Sequence, residues 1–188
     1  MFYVILRVKK TIMAAITLIT GGQRSGKSRY AERLALSLSE APVYMATARV
    51  EDDEFRRRVE KHQSRRGKQW TTIEEGKFLS RHNAFLHDKV VLIDCVTLWC
   101  SNFFADSCEE GKVPPVDAIL AEMEAEFDRL TSQRATFIFV TNEIGSGGVS
   151  VNAVQRAFTD LQGWLNQYIA ERADEVILMV SGIAVKIK

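Results

Sequence analysis

The sequence predicts an α/β fold: a mainly parallel β-sheet with helices on both faces and a C-terminal antiparallel hairpin. Three observations predict it. Short apolar, β-branched runs alternate with helical periodicities through most of the chain, which is the signature of repeated βαβ units. The first run leads straight into Gly21-Gly22, as a buried strand entering a tight loop would. The last two runs have the turn signal Ser181-Gly182 between them, which reads as a hairpin.

Residues 16–20 form the first predicted strand. A helix begins at Lys27, with Tyr30, Leu34 and Leu38 at four-residue spacing and Ala31 and Ala35 beside them. Pro42 introduces a second strand over 43–46. Residues 52–66 read as a helix whose acidic start and basic end suit the helix dipole. A short strand is predicted at 70–73 and a weaker helix over 75–86. Residues 90–93 are a continuous apolar run ending at Asp94, as in a strand buried on both faces. A helix over 98–105 follows, then a loop over 106–115 with Gly111 and two prolines. Val116, Ile119, Leu120, Met123, Phe127 and Leu130 mark one helix face. The next strand covers 136–141 and a glycine-rich loop 142–152. Val154, Phe158, Leu161, Leu165 and Tyr168 mark a long helix. Strands at 175–180 and 184–187 close the chain.

The 188 residues suit one domain. Residues 1–12 are read as an extension ahead of a single catalytic domain over 13–188, because Met13 stands just before the first convincing strand. A formal net charge of +1 gives no bulk attraction for nucleic acid, so phosphate affinity must come from local arrangement. Cys95, Cys100 and Cys108 make no C-x-x-C pair, which favours a reducing compartment over a disulfide framework. The apolar start is short and its lysines follow it, unlike a signal peptide, and no run reaches membrane-spanning length. A cytoplasmic protein without a membrane span or nucleic-acid partner is expected.

Gly21-Gly22-Gln23-Arg24-Ser25-Gly26-Lys27-Ser28 fits G-x-x-x-x-G-K-[ST], between a predicted strand and a predicted helix. Glycines let the backbone curl so that several N–H groups face phosphate oxygens, and the helix that follows adds its positive end. Lys27 supplies charge for the β- and γ-phosphates, and Ser28 a hydroxyl for Mg²⁺. Arg24 is either a further phosphate contact or a solvated loop residue. Asp94 is either a second Mg²⁺ ligand at a strand end or a polar cap there. A switch GTPase fits poorly: there is no N-K-x-D string, and the D-x-x-G at Asp160 to Gly163 falls inside a predicted helix.

Phe55, Val59 and His62 lie on one side of the predicted 52–66 helix, among Arg56, Arg57, Arg58, Lys61, Arg65 and Arg66. The bland reading is a solvated basic face with a packed histidine. The sharper one is a nucleophile: an imidazole can attack an α-phosphate and hold the nucleotidyl group as a phosphoramidate.

Several motifs in order resemble one family, the bifunctional adenosylcobinamide kinase/adenosylcobinamide-phosphate guanylyltransferases of cobalamin biosynthesis. The segment from Thr20 to Arg29 is similar to T-G-G-x-R-S-G-K-S-R. Tyr44-Met45-Ala46-Thr47 resembles the family's second strand. Asp52, Glu54, Arg58 and His62 match D-x-E-x-x-x-R-[IV]-x-x-H, Trp70 to Glu74 match W-x-T-x-E, and Thr141 to Gly145 match T-N-E-[VI]-G. Asn166-Gln167, Ala173 to Val176 and Ser181 to Lys188 match the closing segment. The resemblance covers residue 16 to the C-terminus. Ser150 stands where the family often has proline.

The resemblance implies a RecA-like P-loop NTPase fold, assembly as a homo-oligomer (often a trimer), and two activities on a corrinoid substrate. ATP or GTP, with Mg²⁺, phosphorylates adenosylcobinamide; GTP then gives GMP to that phosphate, releasing pyrophosphate and forming adenosylcobinamide-GDP. It implies that His62 carries the guanylyl group and that Lys27 is catalytic. Nucleotide contacts are implied at Gly21 to Ser28, Ala46, Thr47, Ala48, Gln63, Ser64, Arg65, Arg66, Glu74 and Asp94. Two alternatives stay open on the residues: a small-molecule P-loop kinase without guanylyl transfer, and a nucleotide-binding regulator.

Overall fold

The computed structural model describes residues 14–49, 67–109 and 112–188. The extension reading of 1–12 and the helix reading of 52–66 lie outside them, and so do His62, Gln63, Ser64, Arg65 and Arg66.

Strand β1 (Ala15–Gly21) leads through the phosphate loop into helix α1 (Lys27–Leu38), and β2 (Val43–Ala46) follows. Next come β3 (Thr71–Glu74), a 3₁₀ turn (Leu79–His82), the single-turn α2 (Asn83–Leu86), β4 (Val90–Asp94) and α3 (Val96–Asp106). The chain ends with α4 (Val116–Thr131), β5 (Thr136–Val140), a 3₁₀ turn (Gly145–Gly147), α5 (Ala153–Arg172), β6 (Glu175–Val180) and β7 (Ile183–Lys186).

Among the described residues the strands form one sheet in the order β3-β2-β4-β5-β1-β6-β7. Every neighbouring pair is parallel except β6–β7, the predicted antiparallel hairpin. The register sets Glu74, Ala46, Asp94, Val140 and Ile19 in one row across five adjacent strands. That row marks the carboxyl edge of the sheet, where parallel α/β sheets hold their ligands.

Period-2 alternation divides the core between the two faces. Leu18, Met45, Ile93, Phe139 and Val176 point to one face, where Trp99 and Phe103 of α3, Met123 and Phe127 of α4, and Leu161, Leu165 and Ile169 of α5 cover them. Ile19, Tyr44, Leu92, Ile138 and Ile177 point to the other, closed by Ala31 and Ala35 of α1. Alanines at that contact bring α1 close to the sheet, which fixes the phosphate loop at its N-terminus against β1.

The helix expected over 75–86 is corrected. The Glu75 carboxylate accepts from the Lys77 and Phe78 backbone N–H groups, at 2.9 and 3.1 Å, and closes a turn there. Helical structure starts only at Leu79, as a 3₁₀ turn and then the four residues of α2. Leu79 and Leu86 are buried all the same, so the apolar spacing reported packing and not a continuous helix. Elsewhere the boundaries move by one or two residues: 70–73 becomes Thr71–Glu74, 98–105 becomes Val96–Asp106 and 184–187 becomes Ile183–Lys186.

Candidate active site

The phosphate loop takes the conformation its glycines permit. Gly21 has φ +147°, and a Cβ there would stand 2.5 Å from the Met179 carbonyl oxygen of β6. Gly26 has φ +97°, and a Cβ there would stand 3.3 Å from the Gly182 Cα. Both positions combine a backbone region that disfavours side chains with a close approach of the β6–β7 hairpin. Arg24 also has positive φ, at 58°. The Ser25 N–H donates to the Gly22 carbonyl at 3.2 Å, and the Gly182 N–H donates to the Ser25 carbonyl at 2.9 Å. The turn of the β6–β7 hairpin thus holds the loop from outside. Sequence reasoning read Ser181-Gly182 as a turn but gave no hint that it touches the phosphate loop.

Lys27 is buried, at 7% exposure. Its Nζ donates to the carbonyls of Gly21 at 2.9 Å and Gly22 at 2.7 Å. Burial holds the ammonium below its ordinary pKa, while the nearby Cys95 and Asp94 pull the other way. The lysine of α1 and the carboxylate at the tip of β4 therefore face one space, although β5 separates their strands. Asp94 is half-buried, and its Oδ2 accepts from the Tyr44 hydroxyl at 3.0 Å. Cys95 beside it is no nucleophile: burial first, and the Asp94 charge second, push its thiol up to about 12.

The strand tips around Asp94 are tied by side chains. The buried Thr47 hydroxyl donates to the Cys95 carbonyl at 2.7 Å and accepts from the Cys95 N–H at 2.9 Å, joining the ends of β2 and β4. Asn102 of α3 donates to the carbonyls of Thr47 and Gly76, at 2.7 and 2.8 Å. Arg49 makes a two-pronged contact with Asp106, at 2.6 and 3.0 Å, and Lys77 joins it at 3.1 Å. Together they hold the Asp106 carboxyl down at about 2. The hydroxyl of Thr47 is thus engaged in structure. Ala46 shares the row of Asp94, Ala48 follows on the same tip, and Glu74 ends β3 in that row, exposed.

A second tip stands beside the phosphate loop. The Thr141 N–H donates to the Ile19 carbonyl at 2.9 Å, and the Glu143 N–H to the Gly21 carbonyl at 3.1 Å. Gln162, in the middle of α5 and 1% exposed, donates from Nε2 to Thr97 Oγ1 at 2.7 Å and to the Asn142 carbonyl at 2.9 Å. Asn166 donates to the same carbonyl at 3.3 Å and accepts from the Thr141 hydroxyl at 2.7 Å. Thr97 Oγ1 accepts from the backbone and the side-chain amide of Asn142, at 3.0 and 3.1 Å. Thr97, Gln162 and this anchoring role were missed in the sequence, because nothing local to Asn142 names partners 45 and 20 residues away.

The donor set at Ser28 and Asp94 suits a hard divalent cation, which takes hydroxyl, carboxylate and phosphate oxygens and needs few protein ligands. No cluster of three or more His, Cys, Asp or Glu residues that could hold a metal stands among the described residues. A surface cavity of about 430 Å³ between Cys108, Glu109, Lys112 and Val113 and the start of α5 contains no phosphate-loop residue in its lining.

Comparison with known proteins decides the family. The family model described as cobinamide kinase / cobinamide phosphate guanyltransferase matches residues 17–187. The chain belongs to that family. Within the cobinamide kinase / guanyltransferase family, it is 38% identical over 173 residues to the bifunctional adenosylcobalamin biosynthesis protein CobP of Pseudomonas aeruginosa, covering 91% of this chain and 96% of that one. It is 38% identical to CobU of Escherichia coli and 39% identical to CobU of Salmonella typhimurium, covering 91% of this chain and 98% of each relative. Among solved structures, the flagellar accessory protein FlaH of Methanocaldococcus jannaschii superposes with a TM-score of 0.51 at 16% identity, over 97% of this chain and 84% of that one. An ATPase of a type III secretion system of pathogenic bacteria superposes with a TM-score of 0.53 at 10% identity, over 93% of this chain and 57% of that one. These two likenesses bear on the fold alone.

Proposed function

We propose that this chain phosphorylates adenosylcobinamide with ATP or GTP, then transfers GMP from GTP to the product through His62. The observation that carries the reading is the buried Lys27 at the mouth of a phosphate loop, facing Asp94 across the carboxyl edge, in a chain of this family.

In the first transfer, the loop N–H groups and Lys27 hold the β- and γ-phosphates, and Ser28 and Asp94 would hold Mg²⁺. Bound there, the cation would supply charge neutralisation at the transferring phosphate. Such a transfer needs alignment and charge more than strong acids or bases. In the second, the imidazole of His62 attacks the α-phosphate of GTP, pyrophosphate leaves, and the corrinoid phosphate takes GMP from the histidine. Gln63 to Arg66, Ala46 to Ala48 and Glu74 complete the nucleotide contacts in this reading. Residues 13–188 act as one catalytic domain, with 1–12 ahead of it, in a cytoplasmic homo-oligomer. No described helix is long and apolar enough to cross a membrane.

The test is to incubate the protein with Mg²⁺ and GTP labelled at the α-phosphate, denature it, and look for retained label. Acid-labile, base-stable label in wild type that disappears in His62→Ala is the expected result. Label of equal yield in His62→Ala overturns the histidine role.

A further inference from the structure

The two transfers differ in what their nucleophiles need. The phosphate that receives GMP is already an anion near neutral pH, because its second proton leaves near pH 6. The alcohol that receives the γ-phosphate still carries its proton, and positioned general bases assist such attacks. A carboxylate serving only the first transfer is therefore to be sought beside Lys27.

The carboxylates at the carboxyl edge can be sorted by what they touch. Asp94 accepts from the Tyr44 hydroxyl and lies in the field of Lys27, where it suits a cation. Glu75 is bound to two backbone N–H groups, and Asp106 to Arg49 and Lys77. Glu74 stands on β3, four strands from β1. Glu143 differs from all of them. Its backbone N–H donates to the Gly21 carbonyl at 3.1 Å, the same oxygen that accepts from Lys27 Nζ at 2.9 Å. Its side chain is exposed, and its carboxylate meets no hydrogen-bond donor or cation among the described residues.

The preceding peptide is fixed with care. The carbonyl of Asn142 accepts from both Gln162 and Asn166, and the Asn142 N–H is held by Thr97. A continuous bonded path thus runs from α5 through Asn142 and Glu143 to the oxygen that also receives Lys27. The side chain lies beside Gly145: a Cβ built there would stand 3.7 Å from Glu143 Oε1, an ordinary contact.

We propose that Glu143 is the general base for phosphorylation of the corrinoid alcohol, with Gln162, Asn166 and Thr97 as the residues that position it. The inference rests on the kinase reading above. The Glu143 carboxylate takes the hydroxyl proton as the alcohol oxygen bonds to the γ-phosphorus. The bond from that phosphorus to the β–γ bridging oxygen breaks, and its electron pair stays on the β-phosphate of the departing nucleoside diphosphate. The proton then passes from Glu143 to water.

The test is the ratio of two activities in the full-length protein and in Glu143→Gln, which keeps size and removes the base. Kinase turnover is measured with adenosylcobinamide and a nucleoside triphosphate, and guanylyl transfer with preformed adenosylcobinamide phosphate and GTP. The expected result is a fall of about 100-fold in the kinase-to-guanylyl ratio, in the range a positioned base contributes, carried by kcat rather than KM. Binding of a fluorescent GDP analogue with unchanged affinity shows that the variant is folded with its loop intact. A ratio within about 3-fold of wild type overturns the assignment while leaving the family activity standing, as does an equal fall in both activities. Wild-type protein that binds nucleotide yet phosphorylates no corrinoid overturns the functional reading, and this proposal with it.

Discussion

The phosphate loop and the 142–152 segment leave neighbouring strands at the same edge of the sheet, yet they are held by different means. The first is fixed by main chain: two glycines at positive φ, the Gly182 N–H on the Ser25 carbonyl, and the start of α1. The second is fixed at its root by side chains that come from far along the chain, Thr97, Gln162 and Asn166, while Gly147 to Val149 and Val151 stand exposed. The main-chain device is local and rigid. The side-chain device is distributed, so it tolerates change at each point but couples α3, α5 and β5 to one peptide.

Substitutions can break this contrast or sharpen it. The largest effect belongs to Lys27→Ala, which removes the charge that the proposed function gives to both transfers: each activity falls about 100- to 1,000-fold, as for loss of one preorganised donor. Steady-state rates with each substrate check it, and a loss confined to one transfer would show that the two do not share the loop. Next is Gly21→Ala. Its Cβ would meet the Met179 carbonyl at 2.5 Å in a strained backbone, so urea unfolding should show a loss of about 2–3 kcal/mol.

Gln162→Leu tests the distributed device. It leaves the Asn142 carbonyl still bonded to Asn166, so it should cost about 0.5–1.5 kcal/mol and lower kinase kcat with little change in nucleotide affinity. A loss as large as that of Gly21→Ala would mean that the second segment is no more forgiving than the first. Asp106→Asn probes an exposed attachment. The carboxyl is held near 2 against an ordinary 3.8, so its contribution is present above 3.8 and lost as pH falls through about 2. The gap between wild-type and Asp106→Asn urea midpoints should be constant near neutral pH and close towards pH 2. Val151→Ser, at a fully exposed residue of the second segment, should change stability by less than about 0.5 kcal/mol by the same urea assay.

The same contrast explains what the sequence made legible. Residues 21–28 announced themselves because backbone curvature, lysine and hydroxyl must sit at fixed offsets in one short string. β4, β5 and β6 were readable from continuous apolar runs. The order of the strands was not: nothing in residues 136–140 says that β5 inserts between β1 and β4, and that insertion decides which tips adjoin Lys27. The 75–86 segment misled because Phe78, Leu79 and Leu86 pack as a helix face would, while the Glu75 carboxylate closes a turn first. Around Asn142 the sequence showed glycines and a family motif, but the groups that fix it come from α3 and α5.

The hydrogen bond from Gly182 to Ser25 joins residues 157 positions apart along the sequence. A ribosome has already emitted the entire phosphate-binding string long before it makes the turn that clasps it. The cradle is therefore a late structure in the life of each chain, and ligand binding during refolding reports the docking of the β6–β7 hairpin rather than the birth of the first strand and helix.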